Sequence, residues 1–395
     1  MRSYLPIILV LFGISIGMPQ EVYADGVCTP NKEFNESFKD GAAAEKAGNF
    51  ALAFAAYHVA RDKEGVSCEG PNQISKDAQA GWKRTGQRLA KEAEAKGNLY
   101  SEGTYTKVTT EATRSFGPDF YWAVWTDVGA FQWYTRIDES AEADRVMFRF
   151  AQSKPKDYDT VGTALAHFLT PGQPVNVNAD FAETFLEMEK QGKSNPGDQQ
   201  LQRKVGYVKE LQKIAFKNVD EALVQEEKAY SRYNRKETVL GQGPIDESLQ
   251  HLSVARDWYD LFSNLKINKV ARPAENRGDA MMQDERPKSF SYARQYYGLG
   301  GHSEKIKELT EQANKLGNAA AKKNEYATAV KYYEIGHSDT GENEGKINEL
   351  QSRLEKENEK KEQAKQKALQ DMTKDEKQQK EFKKGQEELE KELGF

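Results

Sequence analysis

Small, aromatic and glycine positions recur along this chain with the spacing of a helix. Ala293-x-x-Tyr296-Tyr297-x-x-Gly300 is followed by Glu304, Lys305, Ile306 and Leu309, and Ala329-x-x-Tyr332-Tyr333-x-x-Gly336 by Glu344, Lys346, Ile347 and Leu350. Residues at i, i+4 and i+7 share one helical face, so the small residue, the second tyrosine and the glycine line up. The small residue admits a neighbouring helix and the ring fills the space beside it. The closing glycine, Gly300 or Gly336, is expected to take the left-handed C-cap conformation. One such helix pair cannot bury its apolar face alone, so copies are expected to stack.

Further copies lie upstream: Ala130-x-x-Trp133-Tyr134, Ala255-x-x-Trp258-Tyr259 and, more loosely, Ala53-x-x-Ala56-Tyr57. With 18 Tyr in the chain, chance would give roughly 0.2 strict copies, so the four found are a repeat. The intervals from Ala53 are 77, 125, 38 and 36 residues, which fits roughly eight helical pairs of about 36 to 42 residues.

Gly41-x-x-Ala44-x-x-x-Gly48-Asn49-Phe50-x-x-Ala53-x-x-x-Tyr57-x-x-Ala60 resembles a tetratricopeptide repeat, and Gly317-x-x-Ala320-x-x-x-Asn324-Glu325-Tyr326-x-x-Ala329-x-x-x-Tyr333-x-x-Gly336 matches it at identical spacing. Gly97-Asn98-Leu99, preceded by Ala90 and Ala93, resembles a third first helix. The resemblance implies an all-α chain, a partly degenerate solenoid of helix-turn-helix pairs, and a scaffold that binds a protein or peptide. First-helix side chains would line its groove, which makes Lys46, Asn49, Lys322, Asn324 and Glu325 candidate partner-binding residues. The expected organisation is an N-terminal lobe over residues 25–190, a C-terminal lobe over 191–350 and a charged helical tail over 351–395.

Residues 1–24 read as a cleavable secretory signal, with Arg2 before an apolar run from Leu5 to Met18 and Val22-Tyr23-Ala24 ahead of the cut. The mature chain is then expected in the periplasm or outside the cell, with no stable membrane span. Cys28 and Cys68 flank the first two expected helices, whose antiparallel arrangement would bring them together as a disulfide. Closing a loop of about 40 residues would contribute roughly 3 to 5 kcal/mol. A net charge of −5, evenly mixed, gives no electrostatic footprint for nucleic acid.

Residues 116–150 hold ten aromatics, read mainly as core, with Tyr121 and Trp125, one helical turn apart, as the pair that would stack on a cell-wall glycan. Asp159–Leu169, Asp180–Gln191, Gln199–Tyr233 and Ser248–Leu265 read as helices. Residues 272–288 read as an irregular charged connector between Pro273 and Pro287, and within it Arg277-Gly278-Asp279 is read less as an integrin-type motif than as a first helix whose small residue is Gly278. The last 45 residues hold 12 Lys/Arg and 12 Asp/Glu in pairs such as Glu357 with Lys361, so a solitary helix can stand in water. That tail is either a solvated spacer or a dimerising, coiled-coil-like or docking helix.

No catalytic motif, cofactor loop or metal-ligand spacing is present, and the chain is not read as an enzyme. His302 and His337 each follow a closing glycine, where an imidazole would meet the free carbonyls of the helix end. The leading expectation is an exported scaffold or adaptor; the alternatives are a structural envelope protein assembling through its tail, and a glycan-binding protein using residues 116–150.

Overall fold

The computed structural model describes residues 32–61, 73–170, 181–236, 243–262, 269–337 and 343–392. The expected signal at 1–24 and the Cys28–Cys68 bridge lie outside them. The fold is all-α: the described residues form 15 helices and one two-stranded sheet. They divide into two compact units, Met1–Asp220 with Asp257–Lys266, and Glu221–Arg256 with Ile267–Phe395.

In the first unit α1 (Lys32–Lys46) pairs with α2 (Phe50–Ala60), and α2 with α3 (Gln73–Ala95). The partner of α3 is α5 (Ala130–Arg136), reached only after β1 (Thr104–Val108), α4 (Glu111–Phe116) and β2 (Trp122–Thr126). Helices α6 (Ser140–Ser153), α7 (Tyr158–Leu169) and α8 (Phe181–Ser194) follow in turn. Helices α9 (Gln199–Asn234) and α10 (Pro244–Asp260) each contribute residues to both units. In the second unit α11 (Ala271–Met282) packs on α12 (Pro287–Gly300), α13 (Ser303–Lys322) on α14 (Tyr326–His337), and α14 on the start of α15 (Glu344–Glu392).

The repeat positions do the packing. Ala293 and Ala329 are fully buried, and Tyr297 and Tyr333 are 2% and 3% exposed. In three hairpins the tyrosine of the second helix lies against a glycine of the first. A Cβ added at Gly41 would sit 2.7 Å from the Tyr57 ring, at Gly278 2.3 Å from Tyr297, and at Gly317 3.0 Å from Tyr333. Burying such a ring contributes about 1.5 to 3 kcal/mol, more than any polar contact around it.

The tyrosine hydroxyls then tie consecutive hairpins together. Tyr57 donates to Glu45 of α1 at 2.9 Å, and Arg84 of α3 holds the same carboxylate at 2.7 Å. Tyr134 of α5 donates to Glu94 of α3 at 3.0 Å, which Arg145 of α6 meets at 2.6 Å. Tyr297 donates to Asp279 of α11 at 2.7 Å, and Lys305 of α13 reaches that group at 3.1 Å. In the last hairpin the acceptor is Asn318, 2.6 Å from Tyr333, and Lys346 of α15 lies over the ring at 5.2 Å. The acceptor stands four residues after the small residue in the first unit (Gly41 and Glu45, Ala90 and Glu94) and one after it in the second (Gly278 and Asp279, Gly317 and Asn318).

Several expectations are corrected. Residues 271–282, expected as an irregular connector, are helix α11. Pro273 is tolerated in its first turn, where no amide partner is lost, and Pro287 opens α12. Gly300 is not the left-handed cap: that residue is Gly301, with φ 72°, while Gly300 is helical and buried with the His302 ring 2.4 Å from where a Cβ would be. His302 does meet a carbonyl, but that of Ala271 at the start of α11, 2.8 Å away. It therefore ties the end of α12 to the start of α11 instead of capping α12. The side chain of His337 lies outside the described residues.

Two outcomes test this packing. Gly278→Ala should lower stability by about 1 to 3 kcal/mol because the methyl meets a buried ring, whereas Gly206→Ala, in the exposed interior of α9 with nothing within 4 Å, should raise it by up to about 1 kcal/mol; urea unfolding measures both. Burial, and then the bonds to Glu45 and Glu94, push Tyr57 and Tyr134 up to about 12. In the unfolded chain these phenols lose their protons near pH 10, so the folded state binds more protons between the two values and stability should fall as pH rises from about 10 to about 12. Replacing both by Phe should make that part of the urea-midpoint profile less steep, the remainder coming from the other buried tyrosines, Tyr296 and Tyr297 among them, which burial also raises.

Candidate binding surfaces

The first surface is the ribbon that interrupts the α3–α5 hairpin. Thr-Tyr-Thr-Lys-Val and Trp-Ala-Val-Trp-Thr are rich in β-branched and aromatic residues, which suit a pleated, half-buried strand. β1 and β2 pair antiparallel, with Tyr105 opposite Trp125 and Lys107 opposite Ala123. Alternation sends Trp122 and Val124 inward against Ala56 of α2, and Tyr105, Lys107, Ala123 and Trp125 to the other face. The ribbon is pinned to the first hairpin through Asp40 of α1. Its carboxylate accepts from Thr110 at 2.6 Å and from the Trp122 indole at 3.1 Å, and Thr110 also caps α4.

On the outward face the rings are matched with cations. Lys107 lies 4.3 Å from the Tyr121 ring, and the Arg136 guanidinium stands between Trp125 at 4.4 Å and Trp133 at 5.1 Å. Tyr105 packs beside Trp125 with ring centroids 5.5 Å apart. One terminal nitrogen of Arg136 is buried with no hydrogen-bond partner. Burial pulls the guanidinium below its ordinary value, and the charge of Glu102 pulls the other way. Tyr121 and Trp125 are therefore not one helical turn apart: Trp125 is in a strand, Tyr121 directly precedes it, and the two share a face because strands repeat every two residues. The expectation of core holds for Trp122, Trp133 and Tyr134, all under 5% exposed.

The second surface is the polar face of α13. Glu311, Asn314, Lys315, Asn318, Ala319 and Lys322 line a shallow pocket of about 590 Å³. Two of them are occupied by the fold: Asn318 accepts from Tyr333, and Asn314 accepts from Asn343 at 2.6 Å. Glu311, Lys315 and Lys322 are exposed.

Of the five first-helix candidates only Lys322 reaches this pocket. Lys46 is the exposed last residue of α1. Asn49 caps α2, its side chain accepting from the Leu52 amide at 3.2 Å. Asn324, at φ 62°, shapes the α13–α14 turn and accepts from Tyr326 at 2.8 Å, with exposed Glu325 beside it. These turn positions match the repeat pattern because they build the turn. Sequence reasoning missed Tyr105, Lys107, Arg136, Glu311 and Lys315; the i, i+4, i+7, i+11 spacing from Glu311 to Lys322 was the signal for the last two.

A buried polar cluster in the second unit is saturated. Glu226, 1% exposed, accepts from Ser248 at 2.7 Å and Arg277 at 3.1 Å, and Tyr296 donates to Ser248 at 2.7 Å. Arg277 also pairs with Glu227 and lies 3.9 Å over Tyr230. Arg277-Gly278-Asp279 is thus built into helix α11, with Arg277 on Glu226, Gly278 under Tyr297 and Asp279 held by Tyr297 and Lys305. Among the described residues no group of three His, Cys, Asp or Glu side chains could hold a metal ion, and no helix is long and apolar enough to cross a membrane. No family model matches the chain, and no curated protein matches it.

The two ribbon faces should respond differently to truncation. Trp122→Ala, removing a buried ring and the bond to Asp40, should cost about 3 to 5 kcal/mol, and Tyr121→Ala should stay within about 0.5 kcal/mol; chemical unfolding of each variant measures the difference.

Proposed function

We propose that the protein is an exported helical-repeat scaffold of tetratricopeptide-like hairpins that binds a protein or peptide in the cell envelope. The observation that carries this reading is the exposed face of α13, where Glu311, Lys315 and Lys322 surround a concavity on a rigid helix whose other side is locked to α14. Side chains on a fixed helix can meet an extended partner without first being ordered, which lowers the entropic cost of binding. The export part rests on the signal-like residues 1–24, and the repeat part on the glycine–tyrosine packing. The ribbon favours a polar partner over a sugar, because Lys107 and Arg136 already cover a face of Tyr121 and Trp125, the surfaces on which a pyranose would stack.

The test compares the mature chain with Lys315→Ala/Lys322→Ala as bait in an envelope extract, with far-UV circular dichroism confirming that both are folded. A specific protein retained by the wild type and reduced about tenfold by the double substitution, equivalent to about 1.4 kcal/mol, is expected. Equal capture by both baits, or capture of nothing, would contradict the reading.

A further inference from the structure

Helix α15 runs for 49 residues, about 73 Å at 1.5 Å per residue, and only its first turns pack on α14 through Ile347 and Leu350. Beyond them the helix is exposed, yet it carries Leu369 and Met372, each 67% exposed, with Phe382 at 70% and Leu389 at 60%. Isolated exposed apolar side chains are ordinary. Here two of them sit in a pattern that reads the same in both directions.

Lys365, Leu369, Met372 and Glu376 stand at i, i+4, i+7 and i+11, one stripe of the helix, with spacings of four, three and four. Ala368 lies beside them. A two-fold axis midway between Leu369 and Met372 would place Leu369 of one copy on Met372 of the other, twice, and Lys365 of one copy against Glu376 of the other, also twice. Further along the stripe the same axis sets Lys361 opposite Lys380, a like pair that weakens the seam, and at its flank Glu357 opposite Lys384; Lys360 and Glu381 point away from it. The charge along the helix follows the same sense. Residues 351–370 hold six Lys/Arg and four Asp/Glu, and residues 371–392 hold six Lys/Arg and eight Asp/Glu. The basic half of one helix therefore faces the acidic half of an antiparallel copy, whereas a parallel pair would set like against like.

We propose that α15 is a self-association surface whose occupant is a second copy of this chain, paired antiparallel about the Leu369–Met372 midpoint. The apolar contact supplies the attraction, and the Lys365–Glu376 pairs fix direction and register. This is independent of the α13 face, which a dimer made through α15 would present twice.

Sedimentation equilibrium on the full mature chain tests it. The wild type should reach a dimer, and Leu369→Glu/Met372→Glu should remain a monomer at every concentration while keeping its helicity by circular dichroism. Lys365→Glu and Glu376→Lys should each weaken association about tenfold, since each replaces two attractions by two repulsions, and the double charge swap should restore it to near the wild-type value. A wild-type monomer throughout, or a charge swap that leaves association as weak as either single change, would overturn the proposal.

Discussion

Everything in this fold depends on a tyrosine ring lying against a residue with almost no side chain. Where Tyr57, Tyr297 and Tyr333 cover Gly41, Gly278 and Gly317, any larger side chain would push the two helices apart. The ring excludes water from the hairpin, and its hydroxyl emerges at the edge, where burial without a partner would cost about 1 to 3 kcal/mol. That need is met by Glu45, Asp279 or Asn318 on the same hairpin. Where the acceptor is a carboxylate it needs a cation, and the following hairpin provides one in Arg84 or Lys305. Where the acceptor is Glu45 or Asp279, the hairpin is thereby joined to the helix that follows it by a demand its own core creates.

The ribbon shows how such a stack accommodates an insertion. It enters between α3 and α5 without breaking their contact, because Trp122 and Val124 bury on α2 and Asp40 satisfies the Trp122 indole and the cap of α4. What is left outward is a short strand pair whose rings are paired with cations. Arg136 is the strained member, since its charge is partly desolvated between two indoles with a nitrogen unmatched.

Much of this was legible in the chain because the repeat is a packing rule. Tyrosine at fixed spacing from alanine, and glycine one helix earlier, announce a close helix crossing, and α7, α8, α9 and α15 follow from their helical periodicity within a few residues of where they are found. Helix α11 was hidden because two prolines and a high charge suggest a break, yet Pro273 falls in the first turn and Arg277 and Asp279 are consumed by Glu226, Tyr297 and Lys305. The ribbon was hidden because its tryptophans and the neighbouring Trp133-Tyr134 merge into one aromatic run, and only the alternation of Thr104–Val108 separates strand from helix. Asn49 and Asn324 stand at the same place in two copies of the repeat and are cap and turn residues. The α13 face is legible only once the helix is known to be open on that side.

A double-mutant cycle on Gly278 and Tyr297, followed by urea unfolding, reaches the central constraint most directly, because the two residues should be penalised only through each other. The cost of Gly278→Ala should vanish, or turn into a gain of up to about 1 kcal/mol from better helix propensity, once Tyr297→Ala has removed the ring. An equal cost of Gly278→Ala with and without the ring would contradict the account, since the glycine would then be required for some reason other than the tyrosine above it.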